Sequence, residues 1–141
     1  MANDRIDVSI VGIMPVRVSY LIDDSSVTYD VDEVGGSSSV GLAMTLSAAN
    51  TIATAGDGEF VLGKLLKVEA DGVATVQIGG GMTLPAGTGA GVTLGKAIVG
   101  DLLVAAEGYI REGATGTAAE LGVCRGHISD AGTTTAVEVY L

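Results

Sequence analysis

FVLGKLLKVEADGVATVQIGGGMTLPAGTGAGVTLGKAIVGD, residues 60–101, decides the fold. Short runs of aliphatic and β-branched residues are each long enough for one strand, and each run is stopped by glycine, proline or Asp-Gly. The first run ends at ADG (70–72), an Asp-Gly turn between two alternating segments and so a hairpin signal. VATVQIG then returns antiparallel, with Val73, Thr75 and Gln77 on one side and Ala74, Val76 and Ile78 on the other. GGG at 79–81 breaks it, MTLP forms another short strand, and AGTGAG forms a loop with a mobile tip.

Outward from this stretch the pattern repeats. VTLGKAIVGD, GYIREG, AELGVCRGHISD and TTTAVEVYL supply further strands, the last two turned at SDAG (129–132). In the final strand Val137, Val139 and Leu141 face inward, against Glu138 and Tyr140. GATGTAAEL (113–121) has room for a single helical turn. Residues 41–59 are open to two readings. Ala, Leu and Met favour a helix, but alternating Leu42, Met44 and Leu46, then Thr51, Ile52 and Thr54 after a turn at SAAN, favour two strands. We expect an all-β chain: a small β-barrel or sandwich-like body of short antiparallel strands over 41–141. An extended N-terminal arm with an edge strand precedes it over 1–40, joined by a Gly/Ser link at GGSSS. Ile6, Val8 and Ile10 alternate within the arm, Pro15 marks a break, and Val27, Tyr29 and Val31 fit one more short strand.

At 141 residues the chain suits one domain and buries roughly 68% of its unfolded surface. With no Trp and one Phe, the core must be aliphatic. The 22 glycines are about twice the usual share, and imply many tight turns. Seventeen acidic residues against seven basic give a net charge of −10, which argues against nucleic acid and against an anionic membrane surface. That charge serves solubility or a partner with a basic face. No run approaches the roughly 20 apolar residues of a membrane span, and the N-terminus does not read as a signal peptide. The expectation is a soluble chain made in the cytoplasm.

Candidate chemistry is sparse. One Cys and one His leave too few ligands for an all-protein zinc site and exclude an internal disulfide framework. Cys124 reads as a small buried apolar residue. GAGVTLGKA (89–97) misses the phosphate-binding loop pattern at Ala90 and Ala97. His127 and Ser129 are neighbours two apart on one strand, which does not make a catalytic dyad. Asp23, Asp24, Asp30, Asp32 and Glu33 form the densest acidic cluster, without the spacing of a calcium loop, and read as a solvated acidic segment. Arg5, Arg17, Lys64, Lys67, Lys96, Arg111 and Arg125 are dispersed, as isolated salt bridges would be. No cofactor is expected, and no enzyme activity.

GKLLKVEADGVATVQIGGGMTLP, the following VTLGKAIVGD with GYIR, and the closing VEVYL resemble the capsid cement, or head decoration, proteins of tailed phages over roughly residues 40–141. The resemblance implies a bacteriophage structural protein on the outer capsid surface of the virion. Such proteins are usually homotrimers that clamp neighbouring subunits of the major capsid protein against the pressure of packaged DNA. It also implies an arm able to add a strand to a capsid sheet. Arg5, Ile6, Val8, Ile10 and Arg17 are then the expected capsid-contacting residues. Two other readings remain at this point: a tail spike, fibre or vertex β-domain, and a small hydrolase using His127 or the acidic cluster.

Overall fold

The computed structural model describes residues 15–88, 92–113, 123–133 and 136–141, with 131–133 described by their backbone alone. The described chain is all-β. In order the strands are β1 (Val16–Ile22), β2 (Ala43–Ala48), β3 (Thr51–Thr54), β4 (Gly63–Val68), β5 (Val73–Gly79), β6 (Gly81–Leu84), β7 (Ile98–Leu103), β8 (Ala106–Glu112), β9 (His127–Thr133) and β10 (Ala136–Tyr140). A 3-10 turn at Val34–Gly36 is the one helical element described.

β1, β3, β2, β4 and β5 close, in that order, into a barrel. β6, β10 and β9 make a three-stranded sheet, and β7 with β8 a two-stranded one. The Asp-Gly hairpin forms as read: Glu69 N–H donates to Val73 O at 2.8 Å, Gly72 N–H to Glu69 O at 3.0 Å, and Gly72 takes a φ of +82° that its missing Cβ allows. Residues 41–59 resolve as strands, turned at the expected SAAN segment. Their β-branched second half, with Ile52 wholly buried, outweighs the helix propensity of the first.

Several expectations are corrected. Val16–Ile22 belongs to no arm and no sheet edge. It is a barrel strand, antiparallel to β5 over Arg17↔Gln77 to Leu21↔Val73 and parallel to β3 at Leu21↔Thr51 and Ile22↔Ile52. That one parallel pair departs from the antiparallel expectation. The long connection from β1 through β2 supplies the crossover a parallel pair needs. Val27, Tyr29 and Val31 form no strand, because the Asp23 carboxylate turns the chain there and Val27 plugs the barrel core. GGSSS is no flexible link: Ser37 and Ser39 are buried, Gly41 N–H donates to Leu65 O at 2.8 Å, and a Cβ on Gly36 would collide with the Val68 carbonyl. SDAG is not the turn between the last two strands. β9 runs on to Thr133, opposite Ala136, and two irregularities in the β9–β10 ladder absorb its extra residues. In VTLGKAIVGD the strand starts only at Ile98, since Thr93–Lys96 makes a turn closed by Lys96 N–H to Thr93 O at 3.1 Å. The tip of AGTGAG and most of GATGTAAEL lie outside the described residues.

Two aliphatic cores result. Ile22, Val27, Met44, Ile52, Leu65, Val68 and Val76 fill the barrel. Val61, Leu84, Ile98, Ile110, Ile128, Val137 and Val139 pack beneath the two smaller sheets, with Val137 and Val139 facing inward as read.

Candidate functional site

Two arrangements tie the cores together. Arg125 reaches from ahead of β9 across to the barrel. Its Nη1 donates to Leu62 O at 2.7 Å and Val61 O at 3.4 Å, and its Nη2 to Ile78 O at 2.7 Å. The guanidinium lies 5.6 Å from the centre of the Phe60 ring. Burial lowers its pKa, the nearby Tyr20 acts the other way, and arginine still keeps its charge at any working pH. Gln77 does similar work from β5, its amide donating to Gly79 O at 3.2 Å and Gly81 O at 3.0 Å. By sequence the cations read as isolated salt bridges, and neither Arg125 nor Gln77 stands out. The available signal was one arginine inside the apolar run LGVCRGHI. Arg111 is buried, donating from Nε to Asp57 at 3.1 Å with the buried Asp101 carboxylate 3.9 Å away.

Where the barrel wall meets the three-stranded sheet, a groove of about 320 Å³ opens. Lys64 and Gln77 form one wall, and Met82, Thr83, Val139 and Tyr140 are among the residues of the other. Glu138 also lines it. Cross-strand register sets Arg17, Gln77 and Lys64 side by side on the outer barrel surface, across β1, β5 and β4. Neither Arg17 nor Lys64 has an ion-pair partner among the described residues.

The acidic segment is ordered by its own carboxylates. Asp23 accepts from the backbone N–H of Val27 at 3.0 Å and Ser26 at 3.2 Å, and from the hydroxyls of Ser25 and Ser26, each at 2.8 Å. Burial works against its charge, but these hydrogen bonds outweigh it and hold its pKa below the usual value. Ser26 Oγ in turn accepts from Thr54 N–H at 3.0 Å. Further on, Asp30 N–H donates to Gly36 O at 2.8 Å, Gly36 N–H to Glu33 O at 3.0 Å, and Asp32 N–H to Asp30 Oδ1 at 3.0 Å. This frame holds Val31 75% and Val34 90% exposed among Asp30, Asp32 and Glu33. Those carboxylates form no ion pair among the described residues. A third valine, Val104, is 86% exposed at the β7–β8 turn, with φ at +62°, a conformation a β-branched side chain resists.

His127 is exposed and stacks on Tyr140, ring centres 5.7 Å apart. Among the described residues no three His, Cys, Asp or Glu side chains stand together as a metal site. Cys124 is free and half-buried, beside Gly113. Of the residues read as contacts, Arg5, Ile6, Val8 and Ile10 lie outside the described residues, and Arg17 is exposed on β1. No described helix is long and apolar enough to cross a membrane. Comparison with protein-family models, with curated proteins and with solved structures finds no match.

Proposed function

We propose that this chain is a structural virion protein that binds the outer surface of an expanded phage head and clamps neighbouring major capsid subunits. The observation that carries the reading is the display of bare valines on hydrogen-bonded turns: Val31 and Val34 in the acidic loop and Val104 at the β7–β8 tip. Apolar side chains held in solvent by a fixed backbone suit a contact surface. The sequence resemblance over residues 40–141 supports the same reading. The mechanism is binding energy summed over many copies, each contact weak and the shell held by their number. The N-terminal segment ahead of β1 adds a strand to the capsid in this account.

Two measurements test it. Quantitative mass spectrometry of particles should find this chain in numbers comparable to the coat protein; a few copies point to a tail or vertex, and absence defeats the proposal. Deleting residues 2–13 leaves β1 whole, so the body should fold and no longer hold heads. A truncated protein that binds as well as the intact one removes the arm from the mechanism.

A further inference from the structure

β1 is longer than the neighbour that closes the barrel against it. β3 meets it only at Leu21↔Thr51 and Ile22↔Ile52, because the β2–β3 hairpin turns at Ala49 and Asn50 just beyond. Val16–Tyr20 therefore overhang the hairpin. They make about 16 Å of strand with β5 on one side and, among the described residues, no strand on the other. Strand alternation shows which groups are left over. Leu21 N–H donates to Asn50 O at 2.8 Å and Asp23 N–H to Ile52 O at 3.1 Å, whereas Ile22 N–H points the other way, to Gly72 O at 3.1 Å. The register with β5 is unbroken from Arg17 to Leu21. The N–H and C=O of Arg17 and Ser19 thus point to the same side as those of Leu21, where no described strand meets them. Side-chain burial follows the missing neighbour: Val16 is 51% and Leu21 53% exposed, Val18 and Tyr20 are half-buried, and Ile22 alone in this strand is buried.

A row of unpaired backbone donors and acceptors is complementary to an extended strand. We propose that this strand is β1 of a second copy, added antiparallel across a two-fold axis at Val18. Arg17 then stands opposite Ser19 of the other copy, and Ser19 opposite its Arg17. Each copy brings two N–H and two C=O groups, and all are used, in four hydrogen bonds. Val18 meets Val18 and Val16 meets Tyr20, so the half-exposed side chains of one overhang cover those of the other. Three observations favour a second copy. The overhang is self-complementary in this register, each unpaired N–H facing an unpaired C=O. The chain carries a net charge of −10, yet Arg17 is the single charged residue of β1 and β5 has none. A hollow of about 200 Å³ beside them, lined by Ser19, Tyr20, Leu21, Asn50 and Val73, has none either, so copies that repel elsewhere meet here without opposed carboxylates. The window is also bounded: Pro15 has no N–H to extend the ladder, and β3 takes over at Leu21, so the contact closes as a dimer and does not grow into a fibre. The segment assigned to the capsid leaves this window at Pro15, and the two proposals stand separately.

So short a contact makes a weak dimer, and the test follows the full chain in sedimentation velocity from about 10 μM to about 1 mM. Amide hydrogen exchange reads the contact itself. Exchange at Arg17 and Ser19 should slow as concentration rises, while Val18 and Tyr20, paired with β5, should not change. Substitutions of exposed side chains then fix the register. Ser19→Lys sets a lysine opposite the Arg17 of the other copy, twice per dimer, and should weaken association about fivefold. Ser19→Glu should tighten it by about as much, and R17E/S19K, which again faces opposite charges, should undo the loss. Circular dichroism should stay the same in all three. Net charge alone predicts the reverse order for the single substitutions, because Ser19→Lys lessens the excess of negative charge. A chain monomeric at every concentration, protection of Arg17 and Ser19 that ignores concentration, or variants that follow net charge overturns the proposal. Removing residues 2–13 should leave the dimer equally strong; its loss would put the N-terminal segment at the contact in place of β1 and overturns the proposal too. Head occupancy, measured separately, decides the virion reading on its own.

Discussion

Replacing Arg125 by methionine should detach the two cores from each other. The methionine keeps most of the apolar stem over Phe60 but loses two short hydrogen bonds, to Leu62 O and Ile78 O, both at 2.7 Å. Hydrogen bonds from a charged donor contribute roughly 1.5–3 kcal/mol each, so the gross loss is about 3–6 kcal/mol. Part returns, because the cation no longer has to be desolvated, a cost visible in the downward pull of burial on its pKa. A net loss of about 3 kcal/mol remains, worth about 10 °C in Tm for a chain of this size. The assay is urea unfolding, with the midpoint falling and the slope unchanged if unfolding stays two-state. Arg125→Lys retains the charge but presents a point donor to carbonyls that a planar fork spans, and should lose about half as much. A methionine variant within about 0.5 kcal/mol of the parent would show that the carbonyls find other partners, and that the cores are held together by packing alone.

Three further outcomes follow from single contacts. Asp23→Ala removes the acceptor of two backbone N–H groups and two serine hydroxyls, and should cost about 1–2 kcal/mol at neutral pH in chemical unfolding. Its folded pKa is depressed, so its contribution is present above the unfolded value, near 3.9, and is lost as pH falls through the folded one; the variant should lose stability less steeply below about pH 4. Gly63→Ala would press a Cβ into the Gln77 carbonyl across the β4–β5 ladder and should cost about 3 kcal/mol, read by thermal melting. Val104→Gly relieves the positive φ of a β-branched residue, partly offset by a freer unfolded chain. It should raise stability by about 0.5 kcal/mol while weakening attachment to heads if that turn is a contact, two readouts of opposite sign.

Local signals located most of the strands. Asp-Gly at 71–72, SAAN at 47–50 and the alternation of Val137 and Val139 each carry their geometry in adjacent residues, and each appears where the sequence put it. What failed depended on distance along the chain. β1 reads as an edge because its partners, β3 and β5, begin some 30 and 50 residues later, and its own alternation is indifferent to whether one edge or both are paired. The GGSSS segment has the composition of a linker, yet its glycines are there for close approach to β4, which no local property of those five residues reveals. The groove was illegible for the same reason. Lys64, Gln77, Met82 and Tyr140 meet only because the chain leaves the barrel at Gly79 and changes partners within two residues, with Gly80 and Leu141 exchanging backbone hydrogen bonds at 3.1 and 3.2 Å. The acidic cluster was visible from composition, but the exposure of the valines inside it was not, since Val27 and Val31 look alike in sequence and one is wholly buried while the other is 75% exposed.

That change of partner at Gly80 bears on how such a body binds. The barrel closes through short ladders, Leu21 and Ile22 with β3 and Ala43 and Met44 with β4, so much of its backbone is paired internally. The smaller sheets are open, and the groove lies along the seam between these two kinds of surface. Its width is set by whatever fixes one part on the other: the Gly79–Gly81 chain, Gln77 reaching to Gly81 O, and Arg125 bridging to Leu62 and Ile78. A substitution at Arg125 therefore acts on more than stability. Arg125→Lys should keep the protein folded at room temperature while loosening the seam, read as faster amide hydrogen exchange along Gly79–Gly81 than in the parent. Equal exchange in this variant and the parent, with stability lowered as expected, would show that β6 alone fixes the groove and that Arg125 serves only the cores.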